Sequence, residues 1–188
     1  MDYSQILTIL WIPFAGTVIG AACVFFQKKE MPQTVRKALM GFAAGVMVAA
    51  SVWSLLIPSM EFCASSGAAR VLPATVGFFL GIFFLLCLDH FTPHQHIDSN
   101  VPEGPRSRLS KTSKLALAVT IHNIPEGIAV GISLAGAIDE SAIMSMSGAL
   151  ALAIGIAIQN FPEGAIVSMP MRELGNSRRK SFAIGALS

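Results

Sequence analysis

The sequence predicts an all-α, polytopic bundle of membrane-spanning helices, and three observations carry that prediction. Of its 188 residues, 53% are hydrophobic and only 13% are charged, where soluble domains carry about 25% charged residues. The mean hydropathy is positive, at +0.64. The apolar residues are gathered into runs long enough for the roughly 20-residue helix that a ~30 Å hydrocarbon core requires.

Five runs qualify in chain order: Ile6–Phe26, Ala38–Ile57, Val71–Leu88, Leu115–Ala137 and Ala142–Met171. The first is expected to be a span and not a leader, because Asp2 stands where a secretory leader carries basic residues. The second, GFAAGVMVAAS, is rich in small residues; Gly41, Ala44, Gly45, Ala49 and Ser51 would let a neighbouring helix approach closely. A sixth run begins at Ser181 and reaches the end of the sequence at Ser188. Residues 1–188 are therefore read as one transmembrane domain that is incomplete at its C-terminus. Between the third and fourth spans, residues 91–113 hold Pro93, Pro102, Gly104, Pro105 and several charges, which predicts an irregular, mobile loop. Cys23, Cys63 and Cys87 are dispersed, odd in number and in or near apolar stretches, as suits small buried hydrophobes.

Net charge is only +2, but its distribution alternates. The first connection carries Lys28, Lys29, Arg36 and Lys37, and the second only Arg70. The third carries Arg106, Arg108, Lys111 and Lys114. The fourth has Asp139 and Glu140 and no basic residue, and the fifth has Arg172, Arg178, Arg179 and Lys180. Basic residues mark the cytoplasmic side, so the odd connections are expected inside and the N-terminus outside.

Within the fourth and fifth runs a hexapeptide recurs: HNIPEG at 122–127 and QNFPEG at 159–164. A carboxylate deep in a membrane span is costly and marks a functional site. On a helix, His122 and Glu126 are four apart and share a face, as do Gln159 and Glu163. Asn123 and Asn160 extend each polar face. Imidazole nitrogen and carboxylate oxygen at this spacing suit a divalent cation. Pro125 and Pro162 each remove a backbone N–H, which predicts a kink and a freed carbonyl at Ile121 and Ile158. Gly127 and Gly164 are expected to leave room beside the carboxylates.

The two runs are antiparallel, so depth can be counted at 1.5 Å per residue. His122 lies roughly 12 Å from Lys114, and Glu163 roughly 13 Å from Arg172. Glu126 and Gln159 lie roughly 18 and 20 Å along. The count predicts that His122 meets Glu163 and Glu126 meets Gln159, near the middle of the bilayer.

With these residues the chain resembles the ZIP (Zrt/Irt-like) divalent metal transporters. Its segments VSMPMRELG and GFAAGVMVAASVWSLLIPS resemble the GufA-like branch. The resemblance covers essentially the whole chain and implies an eight-helix fold, of which this sequence would supply five helices and the start of the sixth. It implies His122, Glu126 and Glu163 as ligands of one metal, with Asn123, Gln159, Asn160 and the shared glutamates forming an adjacent second site. Many family members have histidine where Gln159 stands, and an amide binds a cation more weakly than imidazole. The resemblance also implies Met47 as a ligand, and a further glutamate on the sixth helix that would lie beyond Ser188.

A second group, Asp89, His90, His94 and His96, gathers at the end of the third span and is read as a cytoplasmic exit station, since neutral imidazole suits Zn²⁺. The expected function is movement of Zn²⁺ or a similar cation (Cd²⁺, Fe²⁺, Mn²⁺) toward the cytoplasm, with the ion as substrate and no resident cofactor. Expected partners are the ions and the lipid bilayer of the plasma membrane, with a homodimer as the candidate assembly and no nucleic acid. Two alternatives belong to other classes. An intramembrane metallohydrolase would need two histidines on one helix, where HNIPEG supplies one. A metal-binding subunit that does not transport would bind at the motif without flux. The expectation is therefore that the chain is not an enzyme.

Overall fold

The computed structural model describes residues 3–63, 67–94, 101, 103–139 and 144–188. Its helices are α1 (Tyr3–Ala22), α2 (Gln33–Ala50), α3 (Ile57–Phe62), α4 (Leu72–Phe91), α5 (Lys111–Ile138), α6 (Met146–Glu173) and α7 (Arg178–Ala186). Among the described residues no strand forms; backbone pairing outside helices is a single antiparallel bridge between His94 and Glu103. Five helical segments are long and apolar enough to cross a membrane: Tyr3–Phe25, Gln33–Phe62, Gly67–Phe91, Ala116–Ile138 and Met146–Glu173. They coincide with the five predicted runs.

The second span is longer than its apolar run, and it is not a uniform α-helix. Between α2 and α3, residues Ser51–Leu56 wind as a π-helix. Such segments are rare and recur at functional sites; here Ser51 and Leu55 face the cavity described below. Serine side chains cap three helices: Ser110 accepts from Ser113 N–H, Ser145 from Gly148 N–H and Ser177 from Lys180 N–H. Each satisfies an N–H that the first turn leaves open. α5 and α6 remain helical through Pro125 and Pro162.

α6 is the central element. In its most apolar stretch 56% of residues are buried, against 6% in α4, whose Leu80, Phe83 and Leu86 face outward. α1 lies along α6 in the same direction, backbone against backbone. A Cβ on Gly16 would overlap the Ala157 carbonyl, one on Gly20 the Phe161 carbonyl, and one on Gly164 the Thr17 carbonyl. Small residues permit this approach, which is how helices bind one another where lipid removes the hydrophobic drive. The closest contact therefore falls on α1 and α6; in the second span Gly41 and Gly45 meet nothing within 4 Å, while Ala50 lies 3.7 Å from where a Cβ on Gly155 of α6 would stand. Likewise Gly164 does not leave room beside Glu163, because α1 fills it, whereas Gly127 is open. Helical periodicity tells which residues share a face, not which neighbour that face meets.

Ile9, Val130, Leu134, Leu152, Ala153 and Ile156 join α1, α5 and α6 in one apolar core. A smaller cluster, Val167 and Met171 with Val119 and Ile184, joins α5, α6 and α7.

Candidate metal centre

α5 and α6 are antiparallel and bring the two hexapeptides face to face. His122 Nε2 lies 3.8 Å from Glu126 Oε1 on its own helix and 3.7 Å from Glu163 Oε1 across the interface. The Gln159 amide nitrogen donates to Glu126 Oε1. These are the two pairings that the count of levels predicts. One ligand atom from each of His122, Glu126 and Glu163 lies within 4.8 Å of the other two. Tetrahedral zinc with bonds of about 2.0–2.2 Å holds its ligand atoms roughly 3.3–3.5 Å apart. His122 is thus within a few tenths of an ångström of zinc-ligand spacing from each glutamate, and the whole triad lies within 4.8 Å, about an ångström of side-chain movement from zinc geometry.

The surrounding amides have oxygen to spare. Gln159 is 1% exposed, and with its nitrogen committed to Glu126 its Oε1 has no protein partner. Asn123 donates from Nδ2 to the Ser188 carbonyl at 3.0 Å, and its buried Oδ1 has no partner. Glu163 Oε2 is buried and unpaired as well. A buried acceptor without a donor is costly; two amide oxygens and one carboxylate oxygen left in this way are what a cation would satisfy.

Asn160, also buried, has two amide orientations. In one its nitrogen is 3.4 Å from the Pro13 carbonyl. Turned over, the nitrogen donates to Glu126 Oε2 at 3.0 Å and to the Ile156 carbonyl at 3.1 Å. The second orientation satisfies more groups in the absence of a cation. The first places Oδ1 3.0 Å from Glu126 Oε2, a meeting of two acceptors that a shared cation relieves.

Beside the triad lies a cavity of about 220 Å³, lined by Met47, Ser51, Leu85, His122, Glu126, Ile156 and Gln159 among others. Met47 thus reaches the same space as the polar row. Glu163 does not line it, and the other cavity residues of α5 and α6, Pro125, Ala129, Leu152 and Ile156, all lie toward the α5–α6 connection. The cavity lies on that side of the triad, and His122 keeps 44% of its side chain exposed.

A second cluster forms at the end of α4. His94 is 4% exposed; its Nε2 lies 3.0 Å from Asp89 Oδ1 and 3.8 Å from Glu103 Oε2, and its Nδ1 is 2.9 Å from the Thr92 carbonyl. Backbone bonds of 3.1 and 2.9 Å tie His94 to Glu103. Glu103 escapes sequence reasoning because it pairs with a residue nine positions earlier; the clue is its neighbour Gly104, whose φ of 74° and close approach to the Thr92 carbonyl leave no room for a Cβ. His90 stands apart, its ring against Phe91 with 5.0 Å between centroids. His96 lies outside the described residues.

The human zinc transporter ZIP11 is 33% identical in an alignment that takes in 98% of this chain and 76% of that protein. The chain belongs to the ZIP family. Zinc transporter ZIPB of Bordetella bronchiseptica is 34% identical over 126 residues, 65% of this chain. Zinc transporter ZupT of Stenotrophomonas maltophilia (strain R551-3) is 32% identical over 64% of it. The chain spans 40% of the length of ZIPB and 50% of that ZupT. No family model matches it. Five spanning helices and ZIP membership make it an integral membrane protein.

Proposed function

We propose that this ZIP chain moves Zn²⁺ or a similar divalent cation across the membrane toward the cytoplasm, through a site built from α5 and α6. The observation that carries the reading is the triad His122, Glu126 and Glu163, whose ligand atoms converge within 4.8 Å between two spanning helices. Its relatives are named as zinc transporters. Two carboxylates match the charge of one divalent ion, which offsets the cost of holding either buried.

In this reading the ion enters through the open cavity, exchanges water for the triad, and is released at the opposite end. The unpaired oxygens of Asn123 and Gln159, with Asn160 in its first orientation, form an oxygen-rich second position next to the nitrogen-containing one. Met47 offers a soft sulfur from the cavity wall. When the ion leaves, protons take its place on the carboxylates. Asp89, His94 and Glu103 form a receiving station beyond the pore, with His96 in the same segment. The cytoplasmic direction, the N-terminus outside and the plasma membrane rest on the basic-residue pattern and on the resemblance.

Zinc uptake into vesicles holding the full-length protein tests the assignment. Glu126→Ala and Glu163→Ala are each expected to reduce the initial rate by about 100-fold, the scale of losing one metal ligand's support. Wild-type rates in both variants would remove the site from the pathway.

A further inference from the structure

One face of the metal triad is open and the other is sealed. Val119 lies three residues from His122 on α5, and Val167 four residues from Glu163 on α6, so both sit about one turn toward the Lys114–Arg172 end. There Val167 (1% exposed) and Met171 (0%) pack with Val119 and Ile184 into a dry layer. Among the described residues this layer offers an ion little beyond the Met171 thioether, with Ser168 buried beside Val167, so passage along this line requires the layer to part.

Beneath the layer the Glu173 carboxylate fastens the helix ends. Glu173, the last residue of α6, accepts at Oε1 from the Gln27 side chain (3.0 Å) and from the Met31 backbone N–H (2.9 Å). Its Oε2 lies 3.7 Å from Arg36 on α2, with the two side chains only 19% and 14% exposed. Arg178 of α7 donates to the Gln27 carbonyl at 2.9 Å. One acidic group thus ties the α1–α2 connection and the start of α2 to the helix that carries Gln159, Asn160 and Glu163. Hydrogen bonds to a charged acceptor are stronger than neutral ones, and a half-buried ion pair is less screened than an exposed one.

We propose that Glu173 is a positioning residue for transport: it latches α2 and the α1–α2 connection against α6 under the apolar layer, and its release accompanies opening of the site at that end. Glu173 touches no metal ligand and acts through the helix ends. The proposal rests on the transport reading above.

The test uses the full chain in membrane vesicles, with Cys23, Cys63 and Cys87 replaced by alanine and Val167→Cys as the reporter. A membrane-impermeant thiol reagent is applied from the Arg172 side. Modification is expected to be slow with Glu173 present and about tenfold faster in Glu173→Ala, the scale of losing a charge-assisted contact. Glu173→Gln keeps an acceptor for Met31 N–H without the ion pair and should fall between. Arg36→Gln breaks the pair from the other side, should also speed modification, and serves if Glu173→Ala does not fold. Cd²⁺ affinity at the triad should stay within about twofold, as for distant independent sites. Equal modification rates with and without the latch would overturn the proposal, as would faster modification accompanied by loss of Cd²⁺ binding, which marks general loosening. If the parent protein moves no zinc but the latch still controls modification, the transport reading fails and the latch stands.

Discussion

At the scale of single residues, the site works by dividing the two ends of one amide. Gln159 gives its N–H to Glu126 and keeps its oxygen unpaired inside the protein. It therefore orients a carboxylate and, in the proposed site, would offer a ligand atom at once. Gln159→Ala removes both and is expected to weaken metal binding by about 10- to 100-fold, the usual effect of losing a group that orients a ligand. Calorimetric titration of the full-length protein with Cd²⁺ checks this; unchanged affinity would make Gln159 a packing residue. His122, Glu126, Gln159 and Glu163 were legible because a repeated motif and a helical rise place them without any knowledge of packing. Glu103 was not, because its approach to His94 depends on a backbone bridge between residues nine apart.

Among the elements, α6 carries the second motif and is held by α1 through contacts that tolerate no side chain. Gly16→Val drives a branched side chain into the Ala157 backbone. Overpacking costs typically about 1–3 kcal/mol, and a backbone neighbour yields less than a side chain, so the upper end is expected. Gly41→Ala enters open space and gains helix propensity, so it should be neutral or stabilising by up to about 1 kcal/mol. Thermal unfolding of the two variants in detergent separates them; equal midpoints would mean that α1 does not brace α6. Sequence reading expected the small residues of the second span to permit close approach, and α2 does meet α6 at Ala50 and Gly155, but the closest approach belongs to α1. Abundance of small residues does not say where a partner stands. The π-helical turn at Ser51–Leu56 was equally hidden, since SVWSLL has no feature that separates π from α winding.

For the whole molecule, relative direction and absolute orientation rest on different grounds. α1 runs parallel to α6, and α5 antiparallel to it, as five successive crossings require. Which side is cytoplasmic is a proposal that rests on the basic residues and on the resemblance. In intact cells, an impermeant thiol reagent should label Asp139→Cys, and label Arg179→Cys only after permeabilisation. The reverse pattern would invert the pathway and make the apolar layer at Val167 and Met171 face outward.

The sequence by itself determined the class of the protein, its five spans, their alternation and the level at which the two motifs meet. Those properties depend on hydropathy, on charge placement and on the fixed rise of a helix, all of which are local. The tertiary structure decided which helix braces the site, which amide oxygens stay unpaired, which side is open and which is sealed, and that Glu173 fastens the far end. Each of these depends on side chains from segments distant in the chain, such as Thr17 against Gly164 or Met31 against Glu173. A one-dimensional pattern of residues carries no record of such meetings.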